Sequence, residues 1–177
     1  MNSPHVTLPV LEIPAHITAW IEAIVAASPN NERFGLSYGP KASFALDADF
    51  VRAHNIPRTN VELYTTCGRV APHRDNAGDT YGLVLIAEGG HNLHTGSDHP
   101  YRDQSPSWNL TVGSVYHINS NEDHGTSCQR DSQRDLLAIL TLDFHGCEPG
   151  IPYEIFAHQA LAAMEKFIAA ENNSSEA

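Results

Sequence analysis

Basic residues are scarce in this chain: ten Lys and Arg stand against 21 Asp and Glu, a formal net charge of −11. Non-specific nucleic-acid binding rests on Lys and Arg neutralising phosphates, so the balance disfavours a partner held by its phosphate backbone. Long apolar runs are missing, and none approaches the roughly 20 residues that span a bilayer as a helix. No membrane partner is expected. The opening residues, Met1-Asn2-Ser3-Pro4-His5, carry neither the basic stretch nor the apolar core of a signal peptide. Cysteine is sparse as well. Cys67, Cys128 and Cys147 are odd in number and widely spaced, which argues for reduced thiols in a cytoplasmic protein rather than a disulfide framework. No glycine-rich phosphate loop occurs. His73-Arg74-Asp75 spells the start of a kinase catalytic loop, but Thr80 stands where that loop needs Asn. No His-x-His pair of the cupin type is present either.

What remains is an ordinary globular composition, 41% hydrophobic and 18% charged, over 177 residues. That length suits one domain with one core, expected over 1–171, with the polar tail 172–177 disordered. Pro14 to Ala27 reads as an amphipathic helix, with Ile17, Trp20, Ile21, Ile24 and Val25 at helical spacing. A second helix is expected from about Ile155 to Ala170. Between them the period changes. Val61 to Thr66 alternates like a half-buried strand, and Tyr81 to Ala87 is a short apolar run. Trp108 to Val112 and Ser114 to Ile118 flank Gly113 like a hairpin. Asp135 to Phe144 is apolar on both faces and is expected to be a central strand. Many short strands punctuated by Gly, Pro and Asn indicate a mainly β sandwich or barrel, flanked by N- and C-terminal helices. His91 to Ser107 is polar and reads as a long loop that could close over a ligand.

The eleven histidines invite metal readings. His73 and Asp75 stand at i and i+2, and in extended chain such side chains point to one side. His124 follows 49 residues after Asp75. Two imidazoles and one carboxylate on one face of an octahedral ion leave three positions open, the arrangement suited to non-haem Fe(II) that must also take a cosubstrate and O2. Arg134 follows His124 by ten residues and opens the longest strand. Its guanidinium fork could grip a carboxylate bidentately.

In this order of residues the segment from Tyr64 to Phe144 resembles the 2-oxoglutarate/Fe(II)-dependent dioxygenase superfamily. The resemblance implies a double-stranded β-helix (jelly-roll) fold, with iron held by His73, Asp75 and His124. It implies 2-oxoglutarate as cosubstrate, its far carboxylate held by Arg134, and O2 as oxidant. Tyr64 is similar to a tyrosine that hydrogen-bonds that carboxylate in several members. Ala71-Pro72-His73-Arg74-Asp75, with Arg134-Asp135-Leu136-Leu137, looks closest to the amino-acid and aspartyl/asparaginyl-type hydroxylases, although Leu136 stands where many members carry a small hydroxyl residue.

Other assignments compete at several positions. Arg130 rivals Arg134 but lies in what reads as a turn. His117 sits in an alternating strand and is expected to be packed or hydrogen-bonded. His91, His94 and His99 match no common zinc spacing and are expected in the loop near substrate. The expected substrate is a free amino acid or a residue in a peptide, gripped by Asp98, Arg102 and that loop. A nucleobase oxidiser using Arg69, Arg74 and Arg102 for phosphate contacts is the alternative, as is a non-catalytic metal-binding β-barrel.

Overall fold

The computed structural model describes residues 4–27, 41–96, 107–129 and 135–175. Ten strands and three helices are described: β1 (His5–Val6), α1 (Ala15–Ala27), β2 (Ala42–Ala45), α2 (Ala48–Ala53), β3 (Asn60–Cys67), β4 (Val70–His73), β5 (Asp79–Ala87), β6 (His91–Thr95), β7 (Ser107–Asn109), β8 (Val115–Asn119), β9 (His124–Cys128), β10 (Leu136–Asp143) and α3 (Tyr153–Ser175). They form a six-stranded sheet ordered β1-β8-β5-β10-β3-β2 and a four-stranded sheet ordered β4-β9-β6-β7. Every pairing is antiparallel. The eight strands β3 to β10 pass back and forth between the sheets, which is the winding of a jelly roll. β1 and β2 lengthen the larger sheet at its two edges.

The larger sheet separates two environments, and β10 at its middle shows why. Leu136, Ala138, Leu140 and Leu142 pack with α1 and α3 residues such as Ile17, Ile21, Phe156, Ala160 and Met164. The alternate residues Leu137, Ile139, Thr141 and Asp143 line a cavity between the sheets. Side chains of a strand alternate in direction, so one sequence can serve both faces. α1 carries its buried isoleucines at Ile17 and Ile21, one turn apart. α2 begins at Asp47, whose Oδ1 accepts from the amides of Asp49 (2.9 Å) and Phe50 (3.0 Å), two donors that the first turn would otherwise leave open. No described helix is long and apolar enough to cross a membrane.

Three sequence expectations change. Trp108 and Ser114 do not begin a hairpin: β7 lies in the smaller sheet and β8 in the larger, and Gly113 turns the chain from one to the other at φ 80°. His91–Thr95 is strand β6 rather than loop, because His91 and His94 face the protein interior and only their polarity suggested exposure. Helix α3 runs to Ser175, so Asn172 to Ser175 extend the helix instead of fraying from it. The remainder of the expected loop, including Asp98, His99 and Arg102, lies outside the described residues.

Candidate metal centre

His73 closes β4 and His124 opens β9, and the two residues face each other across the antiparallel pair. Directly opposed side chains on such a pair are close neighbours, and the imidazole centroids here are 4.5 Å apart. Asp75 follows the end of β4, where Asn76 takes a positive φ of 56° and turns the chain away. This turn is held by the segment before β9. The Asp75 amide donates to the Ser120 carbonyl (3.0 Å), and the Gly78 amide donates to Asn121 Oδ1 (3.1 Å). The amide of Ser120 donates to the Gly78 carbonyl in return (2.7 Å). Arg74, between the two ligand candidates, reaches Asp123 with Nε–Oδ1 at 2.8 Å and Nη2–Oδ2 at 3.1 Å. The clasp therefore joins the residue next to His73 and Asp75 with the residue next to His124.

One ligand atom from each of His73, Asp75 and His124 lies within 4.8 Å of the others, the one such cluster among the described residues. Asp75 reaches both rings, Oδ2 to His124 Nε2 at 3.2 Å and Oδ1 to His73 Nε2 at 3.4 Å. The opposite ring nitrogens face carbonyls: His73 Nδ1 is 2.9 Å from the Ala71 oxygen, and His124 Nδ1 is 3.0 Å from that of Glu122. A carbonyl only accepts, so both Nδ1 atoms carry hydrogen. In a neutral ring Nε2 is then a lone pair, aimed at a carboxylate that also only accepts. Acceptors converging in this way need a cation between them. A proton on one ring satisfies one of the two contacts, and a metal ion would satisfy all three acceptor groups. Backbone carbonyls that fix the tautomer of a ligating histidine are a usual outer partner of metal sites, and two nitrogens with one carboxylate suit Fe(II) with positions left open. The residues fit the ion.

The proton and the ion compete. Burial alone would push His124 down, but its hydrogen bond to Asp75, the Glu122 carbonyl and the charges of Asp75 and Asp123 outweigh it and raise the imidazole above its ordinary value. The hydrogen bond from His124 holds the Asp75 carboxyl below the usual range, against the effect of its burial. Without metal, the stability from His124 is complete below the ordinary imidazole pKa and is lost as pH rises through the raised one. That from Asp75 is present above the ordinary carboxyl pKa and is lost as pH falls through the lowered one. Metal binding has the opposite trend to His124, because the ion needs the bare nitrogen. Calorimetric titration with Mn(II) at a series of pH values should show affinity weakening by about tenfold per pH unit once His124 is protonated. An affinity flat from pH 8 to pH 6 would remove His124 from the ligand set.

The triad stands at one end of a cavity of about 350 Å³ between the sheets. Register places Glu62, Thr80, Thr141 and Asp143 at that end, with the exposed Arg58 and His145 at the rim. The far end is closed by Leu93, Leu110, Tyr116 and Leu137. Two threonines interrupt this apolar floor. Thr66 and Thr126 are each 8% exposed, and among the described residues neither Oγ1 has a hydrogen-bond partner. A buried hydroxyl without a partner is costly, and a polar ligand reaching the floor would satisfy both.

Tyr64 lines this cavity, and its hydroxyl donates to Glu62 Oε2 at 3.0 Å. Burial and that carboxylate push the phenol up, so it acts as a donor. Arg134, expected to hold a distal carboxylate, lies outside the described residues, as does Arg130. His117 is hydrogen-bonded between Asp79 (2.8 Å) and Tyr153 (3.3 Å), away from the cavity lining. His94 Nε2 lies 2.5 Å from Ser127 Oγ, and His91 is wholly buried with Nε2 3.2 Å from the Asp135 carbonyl. These two brace the smaller sheet and do not enter the metal cluster. Sequence reasoning passed over Glu62, Asp143, Arg58, Thr66 and Thr126. A polar residue at every second position near one strand end, as in Thr141 and Asp143, was the available signal.

No family model matches the sequence, and none of the curated proteins matches it. Solved structures align with about half of the chain. A ribosomal oxygenase from Escherichia coli is 13% identical over 50% of this chain, with a TM-score of 0.37. The aligned part is 23% of the length of that enzyme. The hydroxypropylphosphonic acid epoxidase from S. wedmorenis is 13% identical, covering 48% of this chain and 42% of its own, with a TM-score of 0.33. A cupin domain from Bordetella pertussis is 16% identical, covering 48% of this chain and 78% of its own, with a TM-score of 0.34.

Proposed function

We propose that this protein is an Fe(II)- and 2-oxoglutarate-dependent oxygenase that hydroxylates a free amino acid or an amino-acid side chain in a peptide. The observation that carries the reading is the triad itself: two tautomer-fixed imidazoles and one carboxylate converging at the open end of a closed-floor cavity. When bound, Fe(II) with O2 and 2-oxoglutarate supplies oxidation of a C–H bond to C–OH, with 2-oxoglutarate leaving as succinate and CO2. The chain's own residues have narrower tasks. His73, Asp75 and His124 would hold the ion at the mouth of the cavity. The ligand-bearing segments keep their spacing through the Arg74–Asp123 clasp. The apolar floor excludes water, and the unpartnered Thr66 and Thr126 hydroxyls offer hydrogen bonds to a carboxylate directed inward. A nucleobase oxidiser is less well supported, because Arg74, one of its phosphate-contact candidates, is engaged with Asp123.

Succinate release with Fe(II), ascorbate and 2-oxoglutarate, measured across amino acids, peptides and single- or double-stranded DNA, tests this reading. Amino acids or peptides should stimulate release. Arg134→Ala should raise the apparent KM for 2-oxoglutarate by about ten- to 150-fold, the loss of one charge-assisted hydrogen bond. Stimulation by DNA alone, fading with salt, would replace the amino-acid reading by the nucleobase one. A shift seen in Arg130→Ala but not Arg134→Ala would move the carboxylate contact to Arg130.

A further inference from the structure

Two carboxylates line the cavity beside the triad yet have no part in holding an ion there. Glu62 on β3 faces Thr141 on β10, and Asp143 is the next residue of β10 on the same face. Diagonal neighbours of this kind lie about 7–8 Å apart, near enough to close on one small group. Each carboxylate uses one oxygen on a neutral hydroxyl: Glu62 Oε2 accepts from Tyr64, and Asp143 Oδ1 accepts from Thr80 at 2.7 Å. Among the described residues neither forms an ion pair with Lys or Arg, and Glu62 Oε1 and Asp143 Oδ2 accept no hydrogen bond. Arg58, the guanidinium of this rim, donates from Nε to His145 Nε2 at 2.6 Å. Among the described residues its other N–H groups make no hydrogen bond, and an anion could take them.

We propose that the substrate presents an organic cation, an ammonium or guanidinium group, to Glu62 and Asp143 while the carbon to be oxidised lies over the triad. This assignment rests on the oxygenase reading above and names the chemistry of its substrate. Like-charged carboxylates on an apolar-walled cavity repel one another and lose hydration, a cost that a bound cation offsets. Burial, with Glu62 and Asp75 adding to it, already holds the Asp143 carboxyl above the usual range despite its bond from Thr80 and the opposing pull of His145. Independent of these acids, the buried Thr66 and Thr126 hydroxyls in the same cavity have no partner among the described residues, so a polar occupant would satisfy them. A zwitterion suits the whole rim, its cation on Glu62 and Asp143 and its carboxylate on Arg58. A phosphate would meet two negative charges first.

The test uses the full chain loaded with Mn(II) and 2-oxoglutarate and reads equilibrium binding by calorimetry. L-Lysine and L-arginine are compared with their neutral counterparts L-norleucine and L-citrulline, and acetyl-lysinamide and acetyl-argininamide form a peptide arm. A cationic probe should bind about tenfold or more tightly than its neutral counterpart, and Glu62→Gln and Asp143→Asn should each erase most of that preference. Melting of each variant checks that it is folded. Equal binding of the neutral counterpart, a preference that survives both substitutions, or no binding of any cationic probe overturns the proposal. The oxygenase reading fails by a different sign: the wild-type protein with Fe(II) would release no succinate, with or without substrate.

Discussion

Single replacement of His73, Asp75 or His124 by alanine is expected to abolish Fe(II)-dependent succinate release while leaving the domain folded. In the proposed centre each residue would be one of the three protein ligands that the described residues offer, so its loss would leave two and the ion's affinity would collapse. All three stand outside the apolar clusters that join the sheets and helices. His73 and Asp75 are partly solvated, with side chains 25% and 50% exposed. His124 is buried, but it stands at the first residue of β9, beside the cavity rather than within the packed core. Metal content after loading, turnover and thermal melting, measured on the same samples, separate the two effects. A variant that keeps full activity with normal iron content would exclude its residue from the triad.

The second large effect concerns Gly113, where the chain passes from the smaller sheet into β8. A Cβ built there would clash with the Leu11 carbonyl oxygen, a backbone atom, and the residue holds φ +80°. Its own backbone is occupied on both sides, the amide donating to Val84 (2.8 Å) and the carbonyl accepting from Val10 (2.9 Å). Gly113→Ala therefore combines a left-handed backbone cost of about 1–2 kcal/mol with overpacking of about 1–3 kcal/mol. For a domain of this size that lowers Tm on the order of 10 °C. A fall of less than two degrees in a thermal melt would show that the Leu11 segment yields easily. Gly96, with open space around its Cβ position, is the control for the clash, although its φ of +114° retains the backbone strain.

Periodicity and residue order carried the sequence reading where each element answers to local rules. β10 is legible because it is apolar on both faces, and a strand covered on both sides must lie inside a sheet. His73, Asp75 and His124 are legible by order, since a ligand pair at one strand end and a third at another need only the right topology to meet. β6 was not legible. His91 and His94 are polar by type, and only the tertiary fold buries them, against the Asp135 carbonyl and Ser127. The Trp108–Ile118 segment misled for the opposite reason: local turn chemistry around Gly113 was read correctly, but which sheet each flank joins is a long-range matter. Glu62 and Asp143 escaped because their strands are classified by their apolar majority. The far end of α3 escaped because Asn and Ser favour caps over helix interiors, and the helix continues through them.

The alternation along β10 also bears on how such a chain can change over generations. Positions 136, 138, 140 and 142 answer to the helix-packed core, whereas on the other face 137 and 139 join the floor cluster and 141 and 143 face the open end of the cavity. Selection for a new ligand can thus act on one set of letters while the other stays under purifying pressure for folding. The two sets are interleaved along the chain yet lie on opposite sides of a sheet. An exchange at Asp143 would act on the cavity and on Thr80, its hydrogen-bond donor, while Leu142 keeps its place in the core.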